Sequence, residues 1–264
     1  MIDLRSKKRI VVKLGTSTLA HKTGKLNIRR MTNLTRILAD LQNAGHEMIL
    51  VSSGAVGLGV GKLNLPERPK DTPGKQAAAA VGQCELMHIY DEMFSRYSVT
   101  VAQILLTKSI ISIPDRVDNV RNAIDALTRV NCIPIVNEND TVAIDELELE
   151  IGENDSLSAV VASISGAEAL IILSDIDGHY DADPRTEPNA KIIPVVEEID
   201  GYIEQIAGGA GSGLGSGGMA TKINAARIAT AAGVDMIIMN GRDPEALYRL
   251  FDGEPLGTYF PAKH

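Results

Sequence analysis

Six short runs rich in Val, Ile and Leu recur along the chain, and each is followed by a segment of different character. They read RIVVKLG, HEMILVSSG, VTVAQILL, CIPIVNEND, ALIILSD and DMIIMNG. A strand with one wet face alternates apolar and polar residues. These runs are nearly continuous, which is the pattern of strands covered on both faces in a parallel sheet. Among the intervening segments are NIRRMTNLTRILADLQNAG, PGKQAAAAVGQCELMHIYDEMFSRY, DRVDNVRNAIDALTRV, NDSLSAVVASISGA and GGMATKINAARIATAAG, several with apolar residues at helical spacing. Three amphipathic runs close on Gly45, Gly166 and Gly233, the residue type that takes the left-handed conformation just past a helix. The expected fold is α/β, a three-layer αβα sandwich around a mainly parallel open sheet.

Two segments break the alternation. TVAIDELELEIGEND alternates apolar and acidic residues and reads as a protruding hairpin, and DGHYDADPRTEPNAKIIPVV reads as a turn-rich excursion. Neither is a linker, so one domain over 1–264 is expected, its halves forming two lobes at about 1–165 and 166–264.

The net charge of −8 opposes adhesion to nucleic acid or anionic membrane, and the absence of Trp removes a favoured stacking surface for bases. Screening over about 8 Å still lets a few placed lysines attract an anion locally. Cys84 and Cys132 form no C-x-x-C pair, which fits a reducing compartment, with the cytoplasm as the default. The start MIDLRSKKRIVVKLG has too short an apolar run for a secretion signal, and no run approaches the roughly 20 residues of a membrane span.

The stretch GSGLGSGGMATK, residues 211–222, is either a flexible linker or an anion cradle. Gly213, Gly215 and Gly218 satisfy G-x-G-x-x-G, but the preceding DGYIEQIAGGA reads as helix and loop rather than the strand that fingerprint needs. Lys222 falls in the first turn of the next helix. A cation there opposes the helix dipole and costs about 0.3–1 kcal/mol unless an anion lies close. Two further turns sit at strand ends, where ligands of open parallel sheets gather. LVSSGAVGLGVGKL offers Ser52, Ser53, Gly54 and Gly57; VVKLGTSTL offers Lys13, Gly15, Thr16 and Ser17. Lys13 is either a surface lysine or, between Val12 and Leu14 in a strand covered on both faces, a cation that needs a counter-charge.

VNENDTV supplies Asn137, Glu138, Asn139 and Asp140 directly after a strand. It reads as an Asx-rich turn or as a set that takes both the carboxylate and the ammonium of an amino acid. In GENDSLSA, Asn154 or Asp155 is a good helix N-cap, which leaves the rest of Glu153, Asn154 and Asp155 to be explained. LSDIDG places Ser174 and Asp175 at another strand end, where they could meet a nucleotide or position a lysine. His21, His46, His88, His179 and His264 show no metal-ligand or triad spacing and read as ordinary surface or packing residues.

Taken together, VVKLGTSTL, LVSSGAVGLG, AAVGQ, VAQILLT, IPIVNENDTV, GENDSLSA, DGHYDADPR and SGLGSGGMATK resemble the glutamate 5-kinase branch of the amino acid kinase family, in order from about Lys8 to Phe260. The resemblance implies the amino acid kinase fold, and transfer of the γ-phosphoryl of ATP to the side-chain carboxylate of L-glutamate with Mg²⁺. It also implies homo-oligomers, dimer or tetramer, feedback inhibition by proline, and a glutamyl-phosphate reductase as a possible partner. The N-terminal lobe would then bind glutamate and the C-terminal lobe the nucleotide. Lys13, Lys222 and Asp155 match the catalytic positions. Ser53, Gly54, Asn137, Asp140 and Asn154 match the substrate positions. Lys13, Ser174, Asp175, Ser216, Gly217, Gly218, Met219, Ala220, Thr221 and Lys222 match the nucleotide positions, and no residue is assigned as a metal ligand. Glu153 and Ser174 depart from the Asp and Thr usual in the pattern. Many members carry a C-terminal PUA domain, and the expectation here is the kinase domain without it. The alternatives are a kinase for aspartate, N-acetylglutamate or carbamate, and a non-catalytic sensor of amino acid or nucleotide.

Overall fold

The computed structural model describes residues 3–19, 21, 25–142, 154–208 and 218–263. All six apolar runs are strands: β1 Arg9–Leu14, β2 Glu47–Val51, β3 Val101–Leu106, β4 Ile133–Glu138, β5 Ala169–Ser174 and β6 Asp235–Asn240. A seventh, β7 Thr258–Phe260, went unread because three residues carry no periodicity. The strands form one sheet in the order β3-β4-β2-β1-β5-β6-β7, in which every neighbouring pair is parallel except β6 with β7.

Helices cover both faces. They are α1 Thr16–Leu19, α2 Ile28–Asn43, α3 Ala55–Lys62, α4 Thr72–Ser95, α5 Lys108–Ile111, α6 Pro114–Arg129, α7 Asn154–Ser165, α8 Gly201–Gly208, α9 Met219–Ala231 and α10 Ala246–Phe251. The side chain of Asn27 caps α2 through Arg30 N–H, and that of Asp71 caps α4 through Gly74 N–H. Gly45, Gly166 and Gly233 all have positive φ just past their helices. Successive β1 side chains divide between the faces. Ile10, Val12 and Leu14 pack with Leu34 and Ile37 of α2, Tyr90 of α4 and Leu250 of α10. Val11 packs with Leu157 of α7 and Ile223 of α9 on the other side. By the same alternation, Lys13 shares the α7/α9 face with Val11.

The chain leaves β1 for β2 on one side, and its later half adds β5 on the other. This reversal opens a crevice at the carboxyl ends of the central strands, where ligands of open α/β sheets bind. Along that edge β4, β2, β1, β5 and β6 end side by side: Val136 pairs with Val51, Val51 with Lys13, Lys13 with Ile172, and Ser174 with Asn240.

One glycine cluster differs from its reading as a loop. Only Ser52, Ser53 and Gly54 form the turn; Gly57, Gly59 and Gly61 lie inside α3. Glycine weakens a helix by about 1 kcal/mol per residue, yet close packing on α4 overrides that preference. A Cβ on Gly82 would overlap the carbonyl oxygen of Ala55, and one on Gly59 that of Ala78. Gly82→Ala is therefore expected to force α3 and α4 apart and to lower stability by about 1–3 kcal/mol, measured by urea unfolding. An unchanged midpoint would show that the crossing yields freely. The buried stripe of α4, including Ala78, Gly82, Leu86, Tyr90 and Phe94, faces the interior.

Candidate functional site

Lys13, the residue before the end of β1, has its ammonium 2.5 Å from Asp155 Oδ1, while Lys222 donates to Asp155 Oδ2 at 3.0 Å. Thr221 Oγ1, with one O–H to donate, lies 2.8 Å from Gly218 O and 3.2 Å from the same Oδ2, so its hydrogen is shared or alternates between them. The three charged residues are buried, with Asp155 1%, Lys222 5% and Lys13 8% exposed. Burial alone would push the Asp155 carboxyl up, but Lys13 and Lys222 beside it hold it below the usual carboxylate range. Asp155 is thus the counter-charge that Lys13 required, and it also lies close to the cation at the start of α9.

Neither Asn154 nor Asp155 is the N-cap of α7: the helix begins at Asn154, so both lie in its first turn. Asn154 Nδ2, with two N–H to donate, faces three acceptors, Ser52 O at 2.9 Å, Ser53 Oγ at 2.6 Å and Asn137 Oδ1 at 3.2 Å, so one N–H is shared between two of them. These two consecutive residues therefore serve two neighbouring clusters, Asn154 the amides at the ends of β2 and β4, Asp155 the lysines. Gly54, at φ +100°, turns the chain into α3 beside Ser53. Asp140 lies half-buried, two residues beyond β4. The row of polar residues along this edge continues past the lysines at β5, where buried Ser174 donates to Asp175 Oδ1 at 3.3 Å.

A cavity of about 380 Å³ opens beside Lys222. Of the nucleotide positions, Ser174, Asp175, Gly218, Met219 and Lys222 line it. Thr221 turns to Asp155 and Ala220 is exposed at the start of α9. Ser216 and Gly217 lie outside the described residues, as do Glu153, His264 and most of the expected hairpin. Sequence reasoning passed over His179, Arg185, Asn240 and Arg242 in the cavity wall. Asn240 and Arg242 were within reach of the strand-end rule already applied to β5, since β6 ends at Asn240. His179, one of the histidines read as surface or packing residues, is on the packing side. It is 1% exposed, its backbone N–H donates to Thr258 Oγ1 at 2.7 Å, and burial lowers its pKa.

No cluster of three or more His, Cys, Asp or Glu suited to a metal exists among the described residues. Both Asp155 oxygens face ammonium groups, whereas Asp175 is an exposed carboxylate on the cavity wall. Such a donor set fits a divalent ion carried by phosphates with one or two protein carboxylates, not a protein cage.

The sequence profile of the amino acid kinase family matches residues 8–240. A glutamate 5-kinase of Clostridium perfringens (strain 13 / Type A) is 52% identical over 262 residues, covering 98% of this chain and 97% of that relative. A glutamate 5-kinase of Moorella thermoacetica is 49% identical over 264 residues, covering 100% of this chain and 69% of the relative. Among solved structures, an isopentenyl phosphate kinase superposes with a TM-score of 0.64 at 17% identity, covering 96% of this chain and 99% of that one. The UMP kinase of Bacillus anthracis gives 0.64 at 16%, covering 98% and 97%. At these identities the structural likeness carries the fold alone.

Proposed function

The chain belongs to the amino acid kinase family, and from that premise we infer that it transfers the γ-phosphoryl of ATP to the side-chain carboxylate of L-glutamate, forming L-glutamyl 5-phosphate, the first step toward proline. The observation that carries the site assignment is Asp155, one buried carboxylate holding Lys13 and Lys222 together between a cluster of amides and a cavity.

Glutamate's side chain has a pKa near 4.3, so at neutral pH it is already an ionised nucleophile and requires no general base. The barrier lies in bringing that anion to a polyphosphate. Lys13 and Lys222 both set their ammonium groups against Asp155, and an ammonium carries three N–H donors, enough to serve a carboxylate and phosphoryl oxygens together. Asp155 keeps the two cations at a fixed separation and oriented. Ser53, Gly54, Asn137 and Asn154 hold the carboxylates of glutamate on the β2/β4 side, and Asp140 takes its ammonium. The cavity on the β5/β6 side takes ATP, with Ser174, Asp175 and residues 216–222 around it. This arrangement aligns acceptor and donor across the β1 strand end, the positioning on which phosphoryl transfer depends. Mg²⁺, when bound, would neutralise charge on the phosphates, and Asp175, exposed on the cavity wall, would hold it.

The same reading includes proline as an inhibitor overlapping the glutamate pocket, a homo-oligomer, a reductase that consumes the labile product, and a cytoplasmic location. No described helix is long and apolar enough to cross a membrane. Trapping with hydroxylamine tests the chemistry, because hydroxamate forms only from an acyl phosphate. Glutamate with ATP should yield it, while aspartate, N-acetylglutamate and carbamate should not. Product from an acetylated acid but not from glutamate would overturn the substrate assignment. Asp140→Ala is expected to raise the glutamate KM about 10–100-fold, as loss of a charged hydrogen bond does, and to leave the ATP KM unchanged. Unchanged glutamate saturation would remove Asp140 from the pocket.

A further inference from the structure

The amides beside Asp155 form a relay with a direction, and its far end is a residue not yet given a role. Asn154 Nδ2 donates to the backbone carbonyl of Ser52. A carbonyl only accepts, so this bond fixes which end of the Asn154 amide faces inward. Asn137 must then turn its oxygen toward Asn154 and its nitrogen away; that nitrogen donates to Gln83 Oε1 at 2.8 Å. Reversing Asn137 would set nitrogen against nitrogen at Asn154. Gln83 lies on α4 next to Gly82, is only 8% exposed, and its buried Nε2 has no hydrogen-bond partner among the described residues. A buried amide left with an unmet donor is a net loss unless its other end does something useful.

We propose that Gln83 is a positioning residue for the amino-acid substrate: its amide oxygen locks Asn137, and through it Asn154, so that the relay consumes acceptors and leaves donors for a carboxylate. Ser53 Oγ accepts from Asn154 and so keeps its own O–H to give, and Asn137 Nδ2 keeps a second N–H. Without the Gln83 oxygen, Asn137 loses the partner that fixes its orientation and can present an acceptor where a carboxylate needs a donor. The proposal rests on the assignment of Ser53, Asn137 and Asn154 to the glutamate pocket.

Gln83→Met keeps the length of the side chain and removes both polar ends. It is expected to raise the glutamate KM on the order of tenfold, with the ATP KM and kcat within about threefold of the parent, because the relay does not include the lysines. In an Asn154→Ala background the same change should add less than about twofold, since the relay is already broken. A glutamate KM within twofold of the parent, a parallel rise in the ATP KM, or a tenfold effect in both backgrounds would overturn the proposal. If Asn154→Ala itself leaves the glutamate KM unchanged, the pocket assignment and this proposal fail together; if only Gln83→Met is silent, the pocket assignment stands. A crystal structure of the unaltered chain with glutamate provides a check independent of the variant's folding: Gln83 Oε1 bonded to Asn137 supports the proposal, and a Gln83 amide turned away from Asn137 overturns it.

Discussion

Lys222→Ala is expected to lower kcat on the order of 10²–10³-fold while raising the ATP KM less than tenfold. Lys222 is placed to do this because it is the buried cation that both lines the cavity and pairs with Asp155. Ground-state ATP retains its other contacts in the cavity. Lys222 is asked to meet the charge that gathers on the moving phosphoryl group, so the loss should fall on the transition state. Steady-state kinetics with saturating glutamate distinguishes the cases. An unchanged kcat with a raised ATP KM would make Lys222 a binding residue only.

Asp155→Asn should be the most destabilising of the single changes considered. It leaves Lys13 and Lys222 buried with no carboxylate between them, and removing one partner from a buried ion pair costs about 3–5 kcal/mol. Urea unfolding should show that loss, together with activity near background. The native carboxyl is held below its unfolded range, so the stability it contributes is complete above the ordinary carboxylate pKa and disappears as pH falls through the depressed native value. The unaltered chain should therefore hold this contribution at neutral pH and lose it only in strong acid, and the variant should lack that part of the acid response. Wild-type stability in the variant at neutral pH would mean that the triad is not a coupled unit.

Much of this centre was legible in the sequence, for specific reasons. Lys13 stands between apolar neighbours in a strand covered on both faces, so one of its two readings was a cation in need of a counter-charge. Its identity was not legible, because α7 meets β1 only through the tertiary fold. Lys222 marked itself by opposing the dipole of α9. Local chemistry favours Asn154 and Asp155 as helix caps, but a tertiary hydrogen bond and an ion pair engage them elsewhere. Helix α3 was hidden by Gly57, Gly59 and Gly61, whose low intrinsic preference is overruled by packing on α4. Gln83 and His179 fall within AAVGQ and DGHYDADPR, but no individual part could be read for them, since their buried nitrogens, unmet among the described residues, arise only from three-dimensional packing.

The most direct measurement is a crystal structure with glutamate, Mg²⁺ and a non-hydrolysable ATP analogue. Phosphoryl oxygens within hydrogen-bond distance of both Lys13 Nζ and Lys222 Nζ, with the glutamate side chain facing them from the Asn137 side, is the predicted result. Phosphates seated where neither ammonium can reach them would contradict it.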